Sequence, residues 1–229
     1  DTVLFCDNCA QAATLNTKQF NLRSIGEPDN EKVLVGPREG FTESLMSNLS
    51  QVLRRLRTHD LKAKHLTLGR RTQTDVCVCY LDSLADKNIL EELLRRLNQI
   101  DIDGVLDSNY LTELIRDHNY SPFRTTGYTE RPDAVVAKLL EGRIAVLVDG
   151  TPMVLTVPYL FIENFQSGED YYFNYYYTSF ARILRIIAFF MTVSVPALFI
   201  SIVAFHQEML PLPLLIRIAM ERQRVPLPA

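Results

Sequence analysis

Residues Ile186 to Phe205, IIAFFMTVSVPALFISIVAF, carry no charged side chain. At a rise of 1.5 Å per residue, an α-helix of about 20 residues covers the roughly 30 Å hydrocarbon core of a bilayer. Buried helices of soluble domains are usually shorter and keep a polar stripe, and this window does neither. Its flanks suit a membrane boundary. Arg182 and Arg185 precede it, with Tyr175, Tyr176, Tyr177 and Phe180 before them, and His206 follows it; such amphipathic side chains anchor a span at the interface. The window is read as a transmembrane helix over residues 186–205, with Pro196 placed to kink it.

The rest of the chain is much more polar, so a mean hydropathy near zero is an average over two unlike parts. Lys and Arg number 24 against 27 Asp and Glu, a formal charge of -3. No basic excess advertises a nucleic-acid partner. Nothing near the start has the basic, apolar, small-residue order of a secretory signal. The chain begins without Met and stops at RVPLPA; both ends read as cuts, and a piece of a longer membrane protein is expected.

Periodicity along the polar part alternates between strand and helix. Lys32 to Val35 reads as a short strand broken by Gly36-Pro37. From Thr42, Leu45, Leu49, Val52, Leu53 and Leu56 recur at helical spacing, with Arg54, Arg55 and Arg57 near the end. AKHLTLGR and TDVCVCYLD form a hairpin across GRRTQ. LADKNILEELLRRLNQI is a second amphipathic helix. Tyr110 to His118 is a short third one, with Asp107, Ser108 or Asn109 as its N-cap. RPDAVVAKLLEGR begins a fourth at Pro132 and ends at Gly142. IAVLV and PMVLTV are strands on either side of Asp149-Gly150, a dipeptide suited to a tight type I′ hairpin turn. EMLPLPLLIRIAMERQRV, after the span, reads as an interfacial or re-entrant segment. The fold class is mixed α/β (α+β), followed by a transmembrane helix.

Chemistry is harder to find. Asp149-Gly150-Thr151 after a hydrophobic strand evokes the dehalogenase-type phosphatases, whose nucleophile lies two residues before such an aspartate; here that position is Leu147. A leucine cannot attack phosphorus. The DIDGVLDSN run fails as a calcium loop because Gly104 and Thr112 stand where the spacing does not want them. His59, His65, His118 and His206 have no partner at ligand spacing, and Glu91-Glu92 and Glu169-Asp170 read as solvated faces. Cys77 and Cys79 face one side of their strand, as free thiols in a reducing compartment; a zinc site with Cys6 and Cys9 is the alternative. No catalytic, cofactor-binding or metal residue is assigned, and an enzyme is not expected.

Several blocks in order say more than any one. VGPREGFTESLMSN, LGRRTQTDVCVCYL, RLNQIDIDGVLDS, TERPDAVVAKLLEGRIAVLVDGTP, EDYY, RILR, FHQEMLPLPLL and RQRVPLP resemble the A-subunit family of spore germinant receptors, the GerA family of endospore-forming bacteria. The resemblance implies a cytosolic region of two small α/β subdomains, 1–82 (truncated at its N-terminus) and 83–157, then an aromatic connector 158–185, the span 186–205, and 206–229 as the start of a larger membrane region. It also implies a nutrient receptor complex with a permease-like B subunit and a lipoprotein C subunit. Further implications are a homo-oligomeric ion channel contacting membrane lipid, a place in the inner membrane of the spore, and ion release at the start of germination. The cysteines, and Arg124 where another proline is the pattern, depart from the family.

Among the matching residues, Arg38, Glu39, Arg131, Asp133, Glu141 and Arg143 are candidates for charge networks within or between subunits. Isolated surface charges contributing ~0–1 kcal/mol each are the plainer reading. Arg217, Arg222 and Arg224 after the span balance Arg182 and Arg185 before it, so charge alone does not orient the helix. Two rival functions stay open: a germination-associated paralogue acting in ion release without nutrient sensing, and a small-molecule-binding module between the subdomains.

Overall fold

A computed structural model of the chain describes residues 2–5, 12–15, 23–116, 121, 123–213, 216–217 and 220–221. Cys6, Cys9, His118, Pro122, Arg222 and Arg224 lie outside them. The chain divides into two units, residues 1–164 and 165–229.

In the first unit, β1 (Thr2–Phe5) and β2 (Ala12–Leu15) form an antiparallel pair. The remaining strands are β3 (Leu61–Leu68), β4 (Thr74–Leu81), β5 (Gly127–Thr129), β6 (Ile144–Val148) and β7 (Val154–Val157). They make one antiparallel sheet in the order β3-β4-β6-β7-β5. Because β4 pairs with β6, strands from either side of Ser83 share a single sheet.

Helices cover both faces of this sheet. On one, Leu45, Leu49, Val52 and Leu56 of α1 (Leu45–Arg55) and its C-cap, with Val135 and Leu139 of α4 (Pro132–Leu140), pack on Cys77, Cys79, Ala145 and Leu147. On the other, Leu93 and Leu97 of α2 (Lys87–Gln99) and Leu111 of α3 (Ser108–Leu114) pack on Val76, Val78, Ile144, Val146 and Leu155. Cover on both faces explains why IAVLV of β6 is apolar without alternation and fully buried. Each fully buried Val or Leu contributes about 1.5–3 kcal/mol relative to exposure.

Three expectations change. Residues 32–35 are irregular, with Leu34 83% exposed; the neighbouring Asn30 and Glu31 instead hydrogen-bond to Glu130 and Thr129. Leu53 of α1 is exposed and not part of the buried stripe. Asp149-Gly150 turns the chain but not as a two-residue hairpin. Leu147 and Val148 pair with β4, Val154 pairs with β5, and the innermost β6–β7 pair is Val146 with Leu155. Gly150 has φ 89° and Asp149 is not among the positive-φ residues, so the type I′ requirement is unmet.

The second unit contains a 3₁₀ turn, Gly168–Tyr171, and α5, Tyr175–Phe205, capped by Asn174. The helix starts eleven residues before the apolar window and, at 31 residues, is about 46 Å long. It is long and apolar enough to cross a membrane, and 6% of its most apolar window is buried. Pro196 lies inside the continuous helix. Its missing N–H leaves the Thr192 carbonyl without the usual helical partner.

Candidate functional site

Two of the candidate charges, Glu141 and Arg143, meet at the end of α4 and the start of β6. Gly142 ends α4 with φ 84°, and a Cβ there would meet the Leu84 carbonyl oxygen at 2.6 Å, so only glycine fits. That reversal places Arg143 at the start of β6. Arg143 Nη1 donates to the Pro158 carbonyl, 3.0 Å, just past the end of β7. It also pairs with Glu163, which a second cation, Lys138 of α4, reaches from the other side. Glu163 Oε1 accepts from the Leu160 backbone N–H at 2.7 Å. Glu141 completes the group, 3.1 Å from Arg143. The Glu163 side chain is 6% exposed. Burial pushes its carboxyl up, but hydrogen bonds from Arg143, Lys138 and Leu160 outweigh that and hold it below the usual range.

In the second unit Asp170 has a similar role. It lies in the 3₁₀ turn, where its Oδ2 accepts from the Ser167 N–H at 3.2 Å. Arg182 Nε donates to it at 2.9 Å and Arg185 Nη1 at 3.0 Å, and Arg185 also reaches the Phe165 carbonyl at 3.0 Å. The Thr178 hydroxyl donates to the Asp170 carbonyl at 3.2 Å. Thr178, Arg182 and Arg185 follow i, i+4, i+7 spacing on one helix face. The Asp170 side chain is 4% exposed. Burial raises its carboxyl, but the bonds from Arg185 and Arg182 outweigh that, and the net position is below the usual range.

The reading of Glu169-Asp170 as a solvated face is therefore corrected for Asp170. Its partners lie 12 and 15 residues downstream, beyond what local pattern shows. Glu163 and Lys138 carry no motif that marks them in the sequence.

The six proposed charge-network residues fall into separate groups. Glu39 meets Arg54 and Arg55 of α1, the latter at 2.8 Å. Arg131, 2% exposed, pairs with Asp133 at 2.5 Å. Glu141 and Arg143 join the Glu163 group. Arg38 is exposed and has no ion pair among the described residues. His206 caps α5, its backbone N–H donating to the Ile202 carbonyl at 3.1 Å, and is exposed.

Asp149 Oδ1 accepts from the Leu45 N–H at 2.9 Å, while Gly150 N–H donates to the Glu43 carbonyl. The Asp149 carboxylate is engaged with the first turn of α1. Cys77 and Cys79 share a face, Sγ to Sγ 3.7 Å, and both are buried. Their mutual hydrogen bond, followed by burial, pushes the Cys79 thiol up. Among the described residues no group of three or more His, Cys, Asp or Glu could hold a metal ion; Cys6 and Cys9 are outside that set.

A family model described as Bacillus/Clostridium GerA spore germination protein matches residues 1–229. The chain is 42% identical over 229 residues to "Spore germination protein KA" of Bacillus subtilis (strain 168), covering 100% of this chain and 42% of that protein. To "Uncharacterized membrane protein YfkQ" of the same organism it is 42% identical over 229 residues, covering 100% and 45%. A crystal structure of the N-terminal domain of the A subunit of the Bacillus megaterium spore germinant receptor GerK3 is 47% identical, with 53% of this chain and 97% of that chain covered and a TM-score of 0.44. The chain spans less than half the length of the two whole proteins it matches. With every residue inside the family match, the chain belongs to the GerA family of spore germination proteins.

Proposed function

We propose that this chain is part of an A subunit of a nutrient germinant receptor, a non-enzymatic membrane component acting in nutrient-triggered ion release at the start of spore germination. The observation that carries the reading is the family match over residues 1–229, and an exposed apolar helix of 31 residues supports a membrane component. In this proposal α5 spans the inner membrane of the spore, with the sheet domain on the cytosolic side. The complete subunit oligomerises into an ion channel and works with a permease-like B subunit and a lipoprotein C subunit. Within the first unit the Glu163 group ties the end of the domain to α4 and β6, and within the second Asp170 ties its 3₁₀ turn to α5. Arg38, without an ion pair among the described residues, is the family charge left for a neighbouring subunit. Pro196 bends the span.

Deleting the gene in a spore former and scoring germination against a panel of single nutrients tests this. Loss of the response to at least one nutrient, restored by the intact gene, is the expected result. A second reading, a membrane paralogue acting in ion release without sensing a nutrient, is favoured by the 42% identity to a relative named only as a membrane protein. It expects every nutrient response to be slowed alike.

A further inference from the structure

Arg124 stands where two cavities of the sheet domain meet. One, of 390 Å³, is lined by Arg116, Arg124, Thr125, Thr126 and Tyr128, with Glu113 as its carboxylate. The other, of 450 Å³, is lined by Arg124 together with Phe123, Tyr159, Phe161 and Asn164. The backbone here is fixed by close packing at Gly127, where a Cβ would meet Thr156 Oγ1 at 2.7 Å and the Tyr159 ring at 2.8 Å.

The Arg124 guanidinium is positioned without being neutralised. Its Nη1 donates to Tyr128 Oη at 2.9 Å, and its central carbon lies 5.1 Å from the Tyr128 ring centroid. No carboxylate lies within 4.0 Å of it among the described residues. A guanidinium has five N–H donors, so most of its donor capacity remains. Tyr128 accepts from Arg124, which leaves its own O–H to donate elsewhere. Thr126, 4% exposed, makes no side-chain hydrogen bond among the described residues. Arg116 donates to the Ser121 carbonyl at 2.7 Å and approaches Glu113 only at 3.3 Å. Two cations thus face one carboxylate, beside hydroxyl donors. In the adjoining cavity the Phe123 and Phe161 rings meet edge to face at 5.9 Å. A charged end and an aromatic end share one arginine.

We propose that this double cavity binds a small organic carboxylate, its carboxylate on Arg124 and the neighbouring hydroxyls and its ring or hydrocarbon part against Phe123, Tyr159 and Phe161. Arg suits this chemistry because its planar fork matches the two oxygens of a carboxylate. The site lies wholly in the sheet domain and does not depend on the receptor reading.

The probe is benzoate, with benzamide as the neutral molecule of the same shape, each titrated calorimetrically into the full 229-residue chain in a non-ionic detergent. Saturable benzoate binding at least about tenfold tighter than benzamide is expected from the loss of a charge-assisted bond. Arg124→Gln should bring benzoate down to the benzamide level. Arg124→Lys, which keeps charge without the fork, should fall between. Phe161→Ala should weaken both ligands alike. Arg124 is exposed, so these Arg124 variants should melt with the wild type. The proposal is overturned by absence of saturable benzoate binding, by equal affinity for the two probes, or by unchanged benzoate binding in Arg124→Gln.

Discussion

Asp149 Oδ1 accepts a hydrogen bond from the backbone N–H of Leu45, 2.9 Å away and 104 residues earlier in the chain. The first N–H groups of a helix have no partner within it; Ser44 takes the Ser47 N–H at 3.5 Å, and Asp149 takes the Leu45 N–H. The turn after β6 is thereby tied to the start of α1. Asp149→Ala should destabilise the chain by about 1 kcal/mol, within the range for lost caps, and Asp149→Asn by less. Chemical unfolding of the two variants checks this. Phosphatase activity lost in Asp149→Asn would instead revive the hydrolase reading.

Glu163 is where the sheet domain is closed against its outgoing segment. Glu163→Gln leaves Arg143 and Lys138 without their shared counter-charge, and breaking a buried pair from one side costs about 3–5 kcal/mol; with two cations still sharing Glu141, the lower end is expected. A double-mutant cycle with Lys138→Met should be strongly non-additive. The pH dependence has a definite sign. Glu163 is lowered from its ordinary 4.5, so its contribution is present above that value and fades as pH falls through the lowered folded value. The stability gap between wild type and Glu163→Gln should therefore narrow in that acid window and stay constant at neutral pH.

Asp170 ties the 3₁₀ turn to the first turns of α5 through Arg182 and Arg185. Asp170→Asn weakens two charge-assisted bonds at once. Amide hydrogen exchange over residues 175–185 should quicken by about tenfold or more, since about 1.4 kcal/mol is a factor of ten in an opening equilibrium. An unchanged exchange pattern would show that the arginines are held by something else.

Cys77 and Cys79 are 0% exposed, so neither reports which side of a membrane the sheet domain occupies. Both should resist thiol reagents until the domain opens, even in detergent. Met46→Cys, at a position 67% exposed on α1, supplies the reporter. In intact cells an impermeant reagent should leave the introduced thiol unmodified and should label it after lysis; labelling before lysis would place the domain outside.

What is legible in the sequence depends on how far apart the partners are. Composition alone marks 186–205 as apolar; that the helix continues back to Tyr175 is not legible, because the N-cap and the tyrosines carry no hydropathy signal. Period-2 alternation puts Cys77 and Cys79 on one face, and Gly142 shows as a helix stop, since both are local rules. Asp149 reads as a tight turn because its real partners and those of its neighbour Gly150, namely Asp75, Glu43 and Leu45, lie far upstream. Glu163 and Asp170 are hidden for the same reason, and Arg124 shows only as a departure from a pattern.

We propose that this chain serves a receptor through which a nutrient starts germination. The most direct measurement uses spores in which its complete gene is the sole member of the family, with potassium release followed after single nutrients are added. The account expects rapid release for at least one nutrient, absent when the gene is deleted. Spores that release potassium at the same rate with and without the gene, for every nutrient, would contradict it.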